Sequence, residues 1–316
     1  MQTMPDTTFF SSPAAEQPQR GKVALIGVPF DGLSTERSGS ADAPGALRRA
    51  SNGIGRYRVS TAKAIDWPAC CVDLGDVAIN RFEPSSSFEP VHQAVQACLA
   101  VGAMPLLVGG DHGLTYPAVT AAAQSHAGLR LVQVDAHHDA TDPVLWHCRY
   151  NHGTFVRNLI TDGMLTGSRI YQVGVRDFQW HESGAAFLRD HATHIFSMDR
   201  IDQHGFEPLL SALRSEPDEP VWLSVDIDSL DPAYAPGTGE HMCGGLSSRE
   251  AMGLLRELFD GSLNIVAADL VEVAPQFDIS GRTVSLASQM LALMVDGLAR
   301  SGGARLTLTA NDQEAP

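Results

Sequence analysis

No apolar run in this 316-residue chain reaches the ~18–20 residues of a membrane-spanning helix. Basic residues are scarce: 22 Lys and Arg stand against 37 Asp and Glu, a formal net charge of −15. That sign argues against nucleic acid or an anionic membrane surface as partner. Cysteine is limited to five, an odd number with no C-x-x-C pair. Neither a disulfide framework nor a thiolate metal site is indicated, and reduced thiols in a cytoplasmic protein are expected. The opening MQTMPDTTFFSSPAAEQPQR lacks the basic start and apolar core of a secretory signal. Internal repeats and domain-splitting linkers are also missing. Residues 1–20 are polar and contain Pro and Ser, so they are expected to be poorly ordered or held by a neighbouring subunit. Residues 303–316 read as a flexible tail, which leaves 21–302 as a single domain.

What is present is ample core material, 44% hydrophobic residues, in a regular alternation. Apolar runs at 23–29, 71–76, 104–108, 129–134, 169–174, 194–197, 221–226 and 263–270 predict strands. Helical spacing or start signals fall at 43–50, 90–101, 114–125, 152–163, 206–214, 247–259 and 283–300. Alternating strands and helices predict an α/β fold whose parallel sheet is covered on both faces.

Three of the strands end in the same chemistry. Leu131–Val134 leads into Asp135-Ala-His137-His-Asp139. Met104–Val108 leads into Gly109-Gly-Asp111-His112, and Val221–Val225 into Asp226-Ile-Asp228. Residues i and i+2 of an extended segment share a face, so Asp135 and His137 point one way, as do Asp226 and Asp228. In a parallel sheet the carboxyl edge is where ligands bind. The candidate metal ligands are therefore His112, Asp135, His137, Asp139, Asp226 and Asp228: two imidazoles, four carboxylates and no thiolate. An oxygen-rich set of six suits two divalent ions of the Mn type, with Ni and Co as competitors, better than one closed zinc site. Four carboxylates balance two divalent ions and leave a cluster able to hold a hydroxide. Two-metal sites supply such a nucleophile at neutral pH.

These motifs resemble those of the ureohydrolases, the family of arginase, agmatinase, guanidinobutyrase and proclavaminate amidinohydrolase. The family's Gly-Gly-Asp-His stands at 109–112 and its Asp-Ala-His-x-Asp at 135–139. Its Ser-x-Asp-x-Asp-x-x-Asp-Pro-x-x-Ala-Pro-Gly-Thr-Gly stands at 224–239, and the likeness runs from about Val23 to Arg300. The resemblance implies a three-layer α/β/α sandwich with a central, mostly parallel sheet and a binuclear Mn site. It implies one ion on His112, Asp135, Asp139 and Asp226, and another on Asp135, His137, Asp226 and Asp228, with Asp231 behind them or merely turning the chain before Pro232. Hydrolysis of a small guanidino compound to urea and an amine would follow, in a homo-oligomer (trimer or hexamer).

On the substrate side, Asn151-His152-Gly153-Thr154-Phe155 resembles the family element that makes His152 a proton shuttle. Glu272 of Glu-Val-Ala-Pro would grip the guanidinium, since a carboxylate pairs bidentately with that planar donor fork. Asp139 would carry a proton to the leaving nitrogen. Arg149 and Tyr150 would reach the substrate's tail.

Departures cluster around the mouth. Gly113, His138, Thr154-Phe155 and the early loop 37–44 differ from the family pattern. So does Gly239-Glu-His-Met-Cys-Gly-Gly245, whose bulk predicts a shortened pocket. Arg37, Asp142, Arg149 and Glu240 all fall near the expected mouth, so charge alone leaves the tail undecided. His138, His241, Cys148 and Cys243 are left without roles. Alternatives are guanidine itself, a substituted guanidine or biguanide, a formimidoyl substrate, or a non-catalytic subunit of a hetero-oligomer. An arginase-like deacetylase would lack the second Asp-His set and the acid at 272.

Overall fold

A computed structural model describes residues 4–80 and 83–301. The strands are β1 (Val23–Gly27), β2 (Tyr57–Arg58), β3 (Lys63–Ala64), β4 (Cys71–Asp76), β5 (Met104–Val108), β6 (Arg130–Val134), β7 (Ile170–Val173), β8 (His194–Phe196), β9 (Pro220–Asp226) and β10 (Asn264–Val271). The helices are α1 (Ala43–Ser51), α2 (Trp67–Cys70), α3 (Phe88–Val101), α4 (Thr115–Ser125), α5 (Phe155–Thr161), α6 (Glu182–Asp190), α7 (Met198–His204), α8 (Glu207–Arg214), α9 (Ser248–Leu258) and α10 (Arg282–Ser301).

Eight strands form one sheet in the order β4-β1-β5-β10-β9-β6-β7-β8, and every pairing in it is parallel. Strands buried on both faces need no polar alternation, which is why β5 and β6 are buried throughout. Successive side chains feed opposite cores. Val23 and Leu25 join a cluster with α1, α2 and α7 to α10, whereas Ala24 and Ile26 join one with α3 to α6. Helices, sheet and helices thus make the three expected layers.

The register positions the site. Leu270 lies beside Val108 on one side and Val225 on the other, and Val225 lies beside Val134. The four central strands β5, β10, β9 and β6 therefore end level. Asp135 and Asp226 follow that row directly, whereas Glu272 and His112 follow it after short connecting segments. Gly110 makes the turn after β5 possible: its φ is +84°, and a Cβ there would sit 2.6 Å from the carbonyl oxygen of Val28.

Several local expectations change. Within the segment expected to be poorly ordered or held by a neighbour, residues 9 and 10 pack on their own chain. Phe9 and Phe10 are buried, Phe10 stacks on Trp67 at 4.6 Å, and the Phe9 N–H donates to Asp73 Oδ2 at 3.0 Å. Two adjacent aromatics gain more by burial than a polar arm gains from freedom. The helix expected over 152–163 is a 3-10 turn, His152–Thr154, followed by α5, because Asn151 and Thr154 form a capping box. Helices α2, α6 and α7 and the β2–β3 hairpin were not anticipated. The tail 303–316 lies outside the described residues.

Candidate metal centre and substrate cleft

The structure brings all six candidate ligands together. Nδ1 of His112 lies 2.9 Å from Asp135 Oδ2, 3.1 Å from Asp139 Oδ2 and 3.1 Å from Asp226 Oδ2. Nδ1 of His137 lies 2.9 Å from Asp228 Oδ2 and 3.6 Å from Asp135 Oδ1. Two sets of ligand atoms result, His112–Asp135–Asp139 and Asp135–His137–Asp228, with Asp135 shared. Asp226 adjoins the first set through one oxygen, while its other oxygen accepts the Asp228 N–H at 2.8 Å.

The donor chemistry fits two divalent cations. Nδ1 of His112 is buried and makes no hydrogen bond, although three carboxylate oxygens surround it. Ligand atoms converging on a point have that geometry; a hydrogen-bonded ion pair does not. Burial, then Asp228 and Asp135, raise Asp226 well above the usual carboxylate range. Burial first and Asp135 second push Asp139 up to about 7. Cations between these acids would relieve that repulsion.

Beneath the ligands runs a row of polar side chains that sequence reasoning missed. Gln172, Gln133, Ser224 and Asp269 are direct neighbours across β7, β6, β9 and β10. All four are fully buried. Gln172 donates to Gln133 Oε1 at 2.7 Å, and Gln133 donates to Asp135 Oδ2 at 2.7 Å and Asp139 Oδ2 at 3.0 Å. Ser224 Oγ lies 2.8 Å from His112 Nε2 and donates to Asp269 Oδ1 at 2.6 Å. The signal was available as single polar residues inside the apolar runs LVQV, IYQV and VWLSV.

Above the ligands, Glu272 and His152 meet. Glu272 Oε1 accepts the His112 N–H at 2.8 Å and lies 2.9 Å from His152 Nδ1. Glu272 and Asp139 both have positive φ, 61° and 46°, a strained setting for non-glycine residues that recurs at functional sites. Nε2 of His152 lies 3.2 Å from Glu240 Oε1 and 2.8 Å from Thr35 Oγ1. Burial disfavours the imidazolium, but Glu240 and Glu272 outweigh it and hold the His152 pKa well above its ordinary value.

Other candidates take different places. Arg149 pairs with Asp162 and Tyr150 packs against Phe88 and Tyr116, so neither reaches the cleft. Their short-range partners on the outer surface win over a distant ligand. Asp231 accepts N–H groups from Ala233 and Gly244 and is a turn residue, not a support for the ligands. Asp142 caps the Pro143–Trp146 turn through the Val144 N–H. His138 is buried against α6, where a Cβ on Gly184 would meet its ring at 2.2 Å. Its Nδ1 accepts the Ala140 N–H. Arg176, unforeseen, places its guanidinium among the carbonyls of Asp228, Ser229 and Met242 and pins the loop after β9.

Strands that end level, with two carboxylate-rich sets sharing one aspartate, place a cluster able to hold metal ions at the carboxyl edge of a parallel α/β sandwich. The arginase family model matches residues 21–295, and the chain belongs to the arginase family. It is 37% identical over 273 residues to the mitochondrial agmatinase of Gallus gallus, covering 86% of this chain and 79% of that protein. The solved proclavaminate amidinohydrolase of Streptomyces clavuligerus superposes with a TM-score of 0.86 at 33% identity, over 94% of this chain and 98% of that one. The formimidoylglutamase of Bacillus subtilis superposes with a TM-score of 0.83 at 27% identity, over 94% of each chain. Membership makes the chain a hydrolase of carbon–nitrogen bonds other than peptide bonds, as the ligand motifs implied. Among the described residues no helix is long and apolar enough to cross a membrane.

Proposed function

We propose that the protein hydrolyses the guanidino C–N bond of a small guanidino compound, releasing urea and an amine. The observation that carries this is the pair of ligand sets sharing Asp135 around the unbonded Nδ1 of His112. His112, Asp135, Asp139 and Asp226 would hold one ion, and Asp135, His137, Asp226 and Asp228 the other. Two divalent ions in this donor set, Mn2+ in preference to Ni2+ or Co2+, supply an activated water and neutralise charge developing on the substrate.

The chain's own groups do the rest. Glu272, buried at the end of β10, presents a carboxylate to the guanidinium. Asp139, beside the activated water as a ligand of one ion, is placed to take its proton and pass it to the leaving nitrogen. His152, between Glu272 and Glu240, exchanges that proton with solvent at the cleft. Five free cysteines fit the reducing cytoplasm. A homo-oligomer fits the exposed apolar side chains of Val59, Phe178 and Ile279.

Reconstitution with Mn2+, Ni2+ or Co2+, followed by elemental analysis and urea assays on guanidino compounds, tests the proposal. Two ions per chain and metal-dependent urea release are expected. One ion per chain, or no urea from any guanidine, overturns it.

A further inference from the structure

Charge around the cleft narrows the substrate class. Among the described lining residues there is no Lys or Arg. The arginines nearby are bound to the protein itself. Arg37 donates to the carbonyls of Gly239 and Thr238 and lies over the Phe277 ring at 4.3 Å. Arg157 donates to the Ala140 carbonyl and lies over Phe187 at 4.1 Å. Arg149 faces Asp162, and Arg176 is enclosed by backbone carbonyls. A carboxylate on the substrate's tail would therefore find no Lys or Arg side chain in the cleft lining, and Glu240 and Glu272 already occupy both ring nitrogens of His152.

Glu240 adds to that sign. The loop after β9 carries it over the ligands, where Oε1 accepts the Thr35 hydroxyl at 2.8 Å and Oε2 comes to 3.7 Å from His137 Nε2. Glu240 and Glu272 thus flank His152 on its two ring nitrogens. Farther out, Trp146 and Trp180 line the cleft edge to face, with ring centroids 6.3 Å apart. Indole walls favour alkyl groups and cations, and reject a desolvated carboxylate.

We propose that Glu240 is a second guanidinium-binding carboxylate, and that with Trp146 and Trp180 it selects substrates whose tail carries no acid. This rests on the reaction proposed above, but it concerns binding and can be read without turnover. Free guanidine and N-alkylguanidines belong to the accepted class; guanidino acids and N-formimidoyl amino acids do not.

A matched pair tests it: butylguanidine and 4-guanidinobutyrate, titrated calorimetrically into the metal-loaded full-length protein, with urea release measured in parallel. Butylguanidine is expected to bind at least ~100-fold more tightly, since like-charge juxtaposition and an unpaired buried anion both oppose the acid. Glu240→Gln is expected to weaken butylguanidine binding by about tenfold and to shrink the gap between the two ligands. Trp180→Ala should weaken butylguanidine more than free guanidine. Equal or tighter binding of 4-guanidinobutyrate overturns the proposal, as does an unchanged ratio in Glu240→Gln. If the binding order holds while no compound yields urea, the selectivity stands and the reaction proposed above fails.

Discussion

His112 and Ser224 fix each other's protons: Nε2 of the ring lies 2.8 Å from Oγ, and that hydroxyl donates onward to Asp269. With the serine proton committed to the aspartate, Nε2–H must be the donor. Nδ1 then carries the lone pair and faces Asp135, Asp139 and Asp226. Burial pushes the Asp269 carboxyl up, while donors from Ser224, Trp222 and Thr115 pull it back. Outer partners that set a ligand's tautomer are worth about 10–100-fold in metal affinity. Ser224→Ala is therefore expected to weaken binding of the ion that His112 would hold by that factor, with the fold intact by circular dichroism. Metal titration that finds both affinities unchanged would separate this pair from the metals.

Glu272 is tied to both halves of the site, by the His112 N–H below and His152 beside it. Glu272→Gln keeps an acceptor for that N–H and, under the proposed function, would remove the counter-charge of a bound guanidinium. A fall in kcat/KM of at least ~10²-fold is expected, with both metals retained, because losing one partner of a buried charge pair strands the other. Near-normal kcat/KM in a fully loaded variant would assign the guanidinium to another acid.

Arg176 is the largest structural debt of the mouth. Its donors reach the carbonyls of Gly174, Asp228, Ser229, Met242 and Cys243, so one guanidinium joins β7 to both ends of the 228–243 loop. Arg176→Met is expected to cost about 3 kcal/mol, given hydrogen bonds to a charged group and carbonyls left buried without donors. Chemical denaturation measures this, and proteolysis should cut the loop sooner. A variant as stable as the parent would mean that the loop holds itself.

The strand-end motifs were legible because parallel strands buried on both faces read as apolar runs, and any acid or histidine that stops such a run stands out. Asp135, His137, Asp226 and Asp228 were visible for that reason. Ser224 and Gln133 were not, since their meaning lies in register between strands more than 90 residues apart, as in Gln133 beside Ser224. Glu240 was seen as bulk at the mouth; its aim at His152 depends on Thr35, which comes from the other end of the chain. Arg149 looked like a tail contact because Asp162, its partner, sits thirteen residues on and a turn away. Phe9 and Phe10 looked like part of a polar arm because composition averages away two adjacent aromatics.

The contact between Glu240 and His152 gives stability a definite pH dependence. Burial alone would raise Glu240, but the hydrogen bond and charge of His152 bring it down to about 2. Its contribution is present above the unfolded value near 4.5 and is lost as the pH falls toward 2. His152 moves the other way: its contribution is complete below the unfolded value of 6.5 and is lost as the pH rises through its raised folded value. The pair therefore stabilises most between about pH 4.5 and 6.5. Glu240→Gln removes the acid arm and leaves only Glu272 to hold the imidazolium, so His152 should titrate at lower pH. The difference in Tm between parent and variant is expected to peak in that window and to shrink at pH 3. Carbon-13 NMR of the His152 ring should show the lowered pKa directly. A Tm difference that is flat from pH 3 to 9, with the ring pKa unmoved, would show that Glu240 and His152 are neighbours without being an ion pair.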